Sequence, residues 1–186
     1  TSLFARWRDW RPQSFYVLEV TTPWETRYCF EGCGFGLFGR WMHLGRFMPD
    51  RIPPETRKQV VRQDRRFLSG VVECATCDEC VVEFDGHRSS WHALLVVAAN
   101  IGLLGARVPI APAADPRDGQ FELLVATESD RVPLIHWLRA VAAGERVGPP
   151  PVERHQGREL RLEFARGGYH IDDEAGIWGC DGADAE

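Results

Sequence analysis

The chain has 186 residues, of which 44% are hydrophobic and 26% charged, a composition typical of one folded domain or two small ones. Its formal net charge of −5 provides no general attraction for nucleic acid, so we expect no nucleic-acid partner. No stretch reaches the ~18 consecutive apolar residues of a membrane-spanning helix, and six cysteines are too few to replace a core. A reducing cytoplasm is the simplest location.

The predicted elements are mostly strands. In chain order, strands are predicted at residues 14–20, 26–32, 70–74, 80–84, 92–99 and 120–127, with a terminal hairpin of 160–164 and 169–174 turning at Gly167-Gly168. Helices are predicted at 55–68 and 131–143, the second with Ser129 or Asp130 as its N-cap, Pro133 in its first turn and Gly144 at its end. The strands and helices do not alternate strictly. The pattern therefore favours a mainly β (α+β) fold, a β-sandwich of mostly antiparallel strands with about two packed helices.

Basic residues concentrate between residues 40 and 68. This segment has eight basic residues against three acidic ones, a local balance of +5 that leaves −10 for the remainder. It is either a solvated helix face or a surface for anionic lipid, where each basic side chain contributes about 1 kcal/mol. Peripheral contact with the inner membrane face is therefore one of two hypotheses.

Glycines form a Gly-x-Gly-x-x-Gly pattern at residues 34–39, between a predicted strand and a helix. Such a pattern opens dinucleotide-binding units when a βαβ arrangement follows. No such arrangement follows here. A flexible turn beside a substrate cleft is the preferred interpretation, and dinucleotide binding is the alternative.

Three cysteines, Cys74, Cys77 and Cys80, are spaced as Cys-x-x-Cys-x-x-Cys. With Cys180 or His87 as a fourth ligand they could bind zinc or iron. A disulfide between Cys74 and Cys80 and a set of free thiols are the other interpretations. Free thiols are favoured, because no second matching pair completes a metal site.

A longer constellation covers residues 98–123. It consists of Ala98-Ala99-Asn100-Ile101-Gly102-Leu103-Leu104-Gly105, then Ile110-Ala111-Pro112, then Asp118-Gly119-Gln120-Phe121-Glu122-Leu123. Its order and spacing resemble the bacterial diacylglycerol kinase and sphingosine kinase-like lipid kinase family. Residues 27–37 and 131–144 agree with that resemblance. So does the late His170-Ile171-Asp172-Asp173-Glu174, which is similar to the family's Asp-Gly-Glu motif with Asp173 in place of Gly.

The resemblance implies the carboxy-terminal substrate-binding domain of an ATP-dependent lipid kinase. Such an enzyme transfers the γ-phosphoryl group of ATP to a diacylglycerol- or sphingoid-type hydroxyl. The family's ATP-binding Gly-Gly-Asp-Gly-Thr motif has no counterpart here, and the chain begins with Thr1 rather than methionine. We therefore expect residues 1–176 to form the β-sandwich domain and 177–186 an acidic tail. The amino-terminal ATP-binding domain would be absent from this chain, which alone would be inactive.

The resemblance also implies a catalytic site with Asp172 and Glu174 as its catalytic residues. Asp172 corresponds to the general base that removes the proton of the lipid hydroxyl, a contribution of about 10²- to 10⁴-fold to the rate. In an extended strand alternate side chains share a face, so we expect His170, Asp172 and Glu174 to point together and Asp173 to point away. The plain alternative is an exposed acidic strand end.

Metal and substrate residues follow from the same resemblance. A structural Mg²⁺ would be held by the Asp118 side chain and the carbonyls of Phe121 and Leu123, an all-oxygen set that suits this ion. The plain alternative at Asp118-Gly119 is a turn. The substrate-binding residues implied are Gly34, Gly36, Asn100 and Pro112.

Two other functions remain open at this point. One is a non-catalytic lipid- or partner-binding module with a kinase-like sandwich, favoured by Asp173 in place of Gly and by the missing ATP half. The other is a relative of the NAD kinases, which share the two-domain plan but fit residues 98–123 less well. The sequence also leaves open whether two copies form a homodimer.

Overall fold

A computed structural model describes residues 13–47 and 56–179 of the chain. The strands are β1 (Leu18–Thr21), β2 (Thr26–Cys29), β3 (Gly32–Gly36), β4 (Asp78–Phe84), β5 (His87–Ala99), β6 (Phe121–Thr127), β7 (Glu153–Gly157), β8 (Leu160–Phe164), β9 (Gly167–Ile171) and β10 (Glu174–Trp178). The helices are α1 (Leu37–Arg46), α2 (Arg57–Cys74) and α3 (Arg131–Ala143). The predicted mainly β fold with packed helices is confirmed.

The sheet is organised around β5. β1 and β2 form a separate hairpin, and the other strands form one eight-stranded sheet in the order β10-β9-β3-β5-β4-β8, with β6 and then β7 added to β5. The first half of β5 pairs with β4, and its second half lies between β3 and β6. Every strand pair in the described part of the chain is antiparallel.

Both faces of the central strands are covered, as the apolar run 92–99 predicts. Leu95 and Val97 face the helices, whereas Val96 and Ala98 face a second core, because successive side chains of a strand point to opposite faces. The first core adds Leu124 and Ala126 of β6, Leu68 and Val72 of α2, and Leu134 and Leu138 of α3. The second core adds Phe35, Phe121, Leu123 and Val125, with Cys80 and Val82 of β4 and with Leu162 and Phe164 of β8.

Helix α2 continues six residues beyond its predicted end. A strand was predicted at 70–74, but these residues belong to the helix. Leu68, Val71, Val72 and Ala75 are all buried, and their i, i+3, i+4, i+7 spacing is that of a helix face. The short apolar run therefore continued a helical pattern, and the strand prediction was wrong.

The start of α2 and both ends of α3 are set by residues next to them in the sequence. Thr56 and Gln59 form a capping box, in which Thr56 Oγ1 accepts from the Gln59 N–H at 3.3 Å and Gln59 Oε1 accepts from the Thr56 N–H at 2.8 Å. Helix α3 has the predicted bounds, begins after Asp130, and ends at Gly144 with a φ of +83°.

The predicted terminal hairpin is wrong in its pairing. Strand β8 pairs with β4, whereas β9 pairs with β3 and β10, so Gly167 and Gly168 do not join two paired strands. The lack of a side chain at Gly168 instead permits close approach of α1, because a Cβ there would lie 2.5 Å from the Arg40 backbone nitrogen. The hairpin turn falls at Asp172 and Asp173, between β9 and β10.

Other predicted boundaries also shift. The strand predicted at 26–32 is divided into β2 and β3 by a turn at Phe30 and Glu31, and β1 begins only at Leu18. Strand β10 extends to Trp178, so residues 177 and 178 belong to the sheet rather than to an acidic tail. Residues 180–186 of that predicted tail lie outside the described residues.

Within residues 13–47 and 56–179, no helix combines the length and the apolar character that crossing a bilayer requires.

Candidate functional site

Asp172 lies in the turn between β9 and β10, in the left-handed backbone region with a φ of +52°. Its Oδ1 accepts hydrogen bonds from the backbone N–H groups of Phe30 at 3.0 Å, Glu31 at 2.7 Å and Gly32 at 3.3 Å. The Cys29 thiol donates to the same oxygen at 3.0 Å. We call residues 30–32 the Phe30 turn. Its conformation depends on a carboxylate about 140 residues away in sequence.

The second carboxylate oxygen is less occupied. Oδ2 of Asp172 accepts from the Phe30 N–H at 2.9 Å and from no other donor in the described part of the chain. The Asp172 N–H donates back to the Gly32 carbonyl at 2.9 Å, which joins the two turns. Oδ2 therefore retains a lone pair for another donor.

The surroundings keep Asp172 ionised. Burial raises the pKa of this carboxyl, but the Cys29 thiol and the backbone N–H groups of the Phe30 turn outweigh it, so the pKa lies below its ordinary value. Glu31 shows the opposite shift, because burial raises its pKa and the nearby Asp172 and Asp173 charges raise it further. The site thus places a strongly ionised carboxylate beside a more basic one.

Glu174 does not share a strand face with Asp172, so that prediction was wrong. The strand predicted at 169–174 ends at Ile171, and Glu174 opens β10 after the turn. His170 is buried beneath α1, where its ring lies 5.8 Å from the Phe38 ring. Glu174 is exposed and accepts from Arg27 Nη1 at 2.7 Å. A catalytic role for Glu174 remains a prediction, with no direct contact to Asp172 supporting it.

Asn100 reaches the same turn from the opposite side. It is 1% exposed, and its Nδ2 donates to the carbonyls of Phe30 at 3.0 Å and Tyr16 at 2.9 Å. Its backbone N–H donates to the Glu31 carbonyl at 2.8 Å. The structure therefore brings Asn100, which follows β5, and Asp172, which follows β9, together around the Phe30 turn.

Gly34 and Gly36 lie farther along β3, in the middle of the sheet. A Cβ at Gly34 would collide with the Val96 carbonyl, and Gly36 has a φ of +94° directly before α1. Because β3 pairs antiparallel with β5 and β9, residues 34–39 open no βαβ unit in the described part of the chain, and the dinucleotide alternative loses its structural basis there. These glycines serve close backbone packing, and a substrate contact for them remains a prediction.

Pro112 and Asp118 lie in the loop between β5 and β6. Pro112 borders an open groove of about 550 Å³ that is also lined by residues 13–15 and 113–117. Asp118 Oδ1 accepts from the Gln120 N–H at 2.8 Å, the local hydrogen bond of an Asx turn. Tyr16 joins this loop to Asn100, since its N–H donates to the Pro116 carbonyl at 2.7 Å.

Of the predicted magnesium ligands, Leu123 does not fit an ion position shared with Asp118. Asp118 is in the loop, whereas Leu123 is buried in β6 opposite Ala98 on one side and His155 on the other. A carbonyl in a strand that is paired on both sides faces a neighbouring strand rather than a loop cavity. We therefore derive no catalytic step from a metal held by Asp118, Phe121 and Leu123.

The Cys74, Cys77 and Cys80 thiols do not converge. Cys74 is exposed at the end of α2, Cys77 donates to Glu128 at 3.4 Å, and Cys80 is buried in the second core. No group of three or more His, Cys, Asp or Glu side chains suited to a metal exists among the described residues. The zinc or iron interpretation finds no support there, and the three thiols are free.

The basic segment is partly used inside the fold. Arg65 donates to the carbonyls of Ala106 at 3.0 Å, Val141 at 3.1 Å and Arg107 at 2.7 Å, and Arg62 donates to a carbonyl at the end of α3. Basic groups at a helix carboxyl end are stabilising there. Residues 48–55 of the segment lie outside the described residues. Membrane contact therefore remains a hypothesis. Fewer basic side chains are available for anionic lipid than the eight that the segment 40–68 contains.

The sequence did not point to Cys29 and Glu31, which both contact Asp172 in the structure. Cys29 and Glu31 lie just before the glycine pattern at residues 34–39, and their contacts with Asp172 span more than 140 residues. The turn also carries the exposed Phe30 side chain, whose ring centroid lies 6.5 Å from that of the exposed Phe15. Two exposed aromatic side chains therefore lie beside the carboxylates of this turn.

Comparison with known families identifies the class of protein. Residues 64–182 match the family described as the YegS C-terminal NAD kinase beta sandwich-like domain. Because that segment is more than half of the sequence, the chain belongs to this family. The match includes β4 to β10 and therefore Asn100 and Asp172.

Solved structures share the fold. A diacylglycerol kinase from Bacillus anthracis strain Sterne superposes with a TM-score of 0.52 at 12% identity, covering 82% of this chain and 47% of that one. A second structure, assigned as a diacylglycerol kinase from the same strain, gives 0.51 at 12% identity, with 81% and 46% covered. The chain thus spans less than half the length of these proteins. At this identity the likeness concerns the fold alone. No curated protein sequence matches at a significant level.

Proposed function

We propose that this chain is the substrate-binding domain of an ATP-dependent lipid kinase, with Asp172 as the group that accepts the proton of the lipid hydroxyl. The observation that carries the proposal is the Asp172 carboxylate, which is fixed by four donors on Oδ1 and retains a lone pair on Oδ2. Membership of the family and the fold of the solved diacylglycerol kinases support the same class.

The proposed chemistry is a phosphoryl transfer. The lipid hydroxyl would donate to Asp172 Oδ2, its oxygen would attack the γ-phosphorus of ATP, and the proton would pass to the carboxylate as the new P–O bond forms. A carboxylate of lowered pKa is a weak base, which suits a loose transition state in which the hydroxyl proton leaves late. The fixed position of the carboxylate then matters more than its basicity.

The surroundings suit a lipid with a polar headgroup. Phe15 and Phe30 are 50% and 56% exposed beside the acidic site, and Leu44 and Phe47 are exposed at the end of α1. Apolar side chains at these places would contact acyl chains while Asp172 receives the hydroxyl. ATP would be bound by a separate amino-terminal domain, with magnesium bound to its phosphates.

A non-catalytic lipid-binding module is the second candidate. It is favoured by the same hydrogen bonds, since a carboxylate that holds the Phe30 turn has a sufficient structural role without catalysis. The two candidates differ in whether phosphate is transferred.

The test is phosphate transfer from radiolabelled ATP to a panel of diacylglycerols and sphingoid bases in mixed micelles. It uses the complete product of the gene that encodes this chain. Asp172→Asn is compared with Asp173→Asn, which removes the same charge from the neighbouring, exposed position. We expect transfer to fall by about 10²-fold or more in Asp172→Asn and to change little in Asp173→Asn.

Thermal unfolding is measured beside the assay, because an amide at position 172 presents an N–H group to the donors of the Phe30 turn. Lipid binding without transfer by the wild-type protein would favour the binding module. Full transfer by a folded Asp172→Asn variant would support the kinase proposal and contradict the role of Asp172 as the base.

A further inference from the structure

The β1–β2 hairpin is a separate two-stranded sheet that lies along β10. Trp24, in the turn of the hairpin, stacks on Trp178 at the end of β10, with ring centroids 4.9 Å apart and planes inclined by 22°. Arg27 Nη1 donates to Glu174 Oε2, at the start of β10, at 2.7 Å. Residue numbers rise along β2 as they fall along β10, so the two strands run antiparallel.

No backbone ladder joins β2 to β10 in the described part of the chain. β2 pairs with β1, and β10 pairs with β9, so side chains connect the two strands. The inner face of β2 carries the half-buried Arg27 and the buried Cys29, whereas Tyr28 points outward and is exposed. Within the described chain, the hairpin is therefore held along β10 by the side chains of Trp24 and Arg27.

The base of the hairpin is fixed separately from its tip. Asn100 donates to the carbonyls of Tyr16 and Phe30, which lie just outside β1 and β2. The tip has Trp24 as its aromatic contact with the main sheet, on Trp178 and on Tyr169. A two-stranded hairpin is marginally stable by itself, so its orientation depends on such contacts.

The line of contacts between β2 and β10 ends at the Asp172 carboxylate. Cys29, the last residue of β2, donates its thiol hydrogen to Oδ1 at 3.0 Å, and the Phe30 N–H donates to Oδ2 at 2.9 Å. Gly32, a further donor, belongs to β3 and thus to the main sheet. Displacement of the hairpin would therefore remove the Cys29 and Phe30 donors and leave the Gly32 donor in place.

We propose that Trp24 and Arg27 are positioning residues for Asp172: by holding the β1–β2 hairpin along β10, they place the Cys29 and Phe30 donors on its carboxylate. The effect on phosphoryl transfer rests on the proposed function of Asp172, whereas the effect on the hairpin does not.

Positioning of this kind acts on the ionisation of the base and on its geometry. Burial raises the pKa of Asp172, and the Cys29 thiol and the backbone N–H groups of the Phe30 turn lower it below its ordinary value. Loss of the Cys29 and Phe30 donors would therefore raise that pKa. A carboxylate with fewer donors is also less well fixed relative to the substrate hydroxyl, which slows the reaction.

Alkylation of Cys29 in the native protein tests the position of the hairpin directly. The Cys29 side chain is fully buried, while Cys74 is exposed and serves as an internal reference. The complete product of the gene is treated with iodoacetamide for increasing times, and peptide fragmentation in the mass spectrometer locates the modified cysteines. We expect Cys29 to react about tenfold faster in Trp24→Ala than in the wild type, because the hairpin opens more often.

Three comparisons make this experiment specific. Tyr28→Ala removes an aromatic side chain from the outer face of the same strand and should leave the alkylation of Cys29 slow. Trp24→Phe retains a ring that can stack on Trp178 and should retain most of the protection. Cys80, buried in the second core, reports global unfolding. Equal acceleration at Cys80 and Cys29 in Trp24→Ala would overturn a local role of Trp24.

An exchange of charges tests Arg27 separately. Arg27→Glu places a carboxylate opposite Glu174, and we expect faster alkylation of Cys29. Addition of Glu174→Arg forms the ion pair again with its charges exchanged and should restore slow alkylation. If the double variant protects Cys29 no better than Arg27→Glu alone, the role of Arg27 is overturned.

Phosphate transfer tests the coupling to Asp172. We expect Trp24→Ala to lower kcat about tenfold and to move the acid limb of the pH profile to higher pH, whereas Trp24→Phe and Tyr28→Ala should differ little from the wild type. Slow alkylation of Cys29 in Trp24→Ala, or fast alkylation with an unchanged kcat and pH profile, would overturn the proposal.

The two measurements separate this proposal from the proposed function. If the wild-type protein transfers no phosphate, the proposed function fails, and the positioning of a catalytic base fails with it. Alkylation of Cys29 still decides whether Trp24 and Arg27 hold the hairpin along β10.

Discussion

The helical face of the sheet and the Phe30 turn are stabilised by different forces. On the helical face, Leu95 and Leu124 are fully buried against apolar side chains of α2 and α3. At the Phe30 turn, Asp172 and Asn100 supply hydrogen bonds to backbone groups. Apolar burial is non-directional and shared among many contacts, whereas hydrogen bonds need donors and acceptors at fixed positions. The conformation of the Phe30 turn therefore depends on a few polar side chains that do not stabilise the core.

The largest expected loss of stability comes from the helical face. Leu124→Ala removes a fully buried side chain of β6, and we expect it to lower the free energy of unfolding by about 2 to 5 kcal/mol. Chemical denaturation measures this change. Val132→Ala is the matched control, since Val132 is 60% exposed on α3 and its truncation should have an effect within about 0.5 kcal/mol. Equal losses in the two variants would contradict the assignment of the core.

His170 lies between the two regions and makes stability depend on pH. Burial lowers the pKa of this histidine from its ordinary 6.5 to about 4, although Asp172 opposes the shift. Between those values the unfolded chain binds a proton that the folded chain does not, so stability falls as the pH drops below 6.5. We expect a loss of about 2 kcal/mol between pH 7 and pH 5 from this group.

Urea unfolding at the two pH values tests that expectation. His170→Phe should lose less stability on acidification than the wild type, because no proton binds at position 170 in either state. His136→Phe, at an exposed position on α3, should retain the wild-type dependence. A His170→Phe variant with an unchanged difference between the two pH values would show that this histidine is not buried in its neutral form.

The smallest effect on stability is expected at the Phe30 turn. Asn100→Ala removes the donors of the Phe30 and Tyr16 carbonyls and should cost about 1 kcal/mol. Because the turn also positions Asp172, transfer or lipid binding should fall more than this modest loss of stability suggests. Glu174→Gln is the control, since its ion pair with Arg27 is exposed and should contribute little to stability. A large loss of stability with unchanged transfer and lipid binding in Asn100→Ala would contradict this expectation.

Local patterns predicted several elements correctly. Helix α3 has its predicted bounds because Pro133, an apolar stripe and Gly144 all lie within its own segment. The apolar run at 92–99 correctly predicted a strand covered on both faces. Asn100 and Asp172 were selected by resemblance to a family, and the structure brings both to one turn. Their catalytic and binding roles stay predictions.

The errors arose where two elements distant in sequence meet. Residues 70–74 have apolar character that suits a strand or a helix, and contact with the sheet and α3 favours the helix. Gly167 and Gly168 suggested a turn, but the small size of Gly168 permits the packing of α1 on β9, and a Cβ at Gly167 would collide with Phe35. The division of the predicted strand at 26–32 likewise depends on Asp172, which no local window contains.

The sequence by itself determined the fold class, the family and the bounds of α3, because hydrophobic periodicity, capping residues and motif order are properties of contiguous segments. Only the tertiary structure decided which strands pair, where β9 ends and how Asp172, Cys29 and Asn100 meet at the Phe30 turn. Those contacts join residues 70 to 143 positions apart. Chain folding sets their distances, and hydrogen bonds form only when the atoms arrive within about 3 Å.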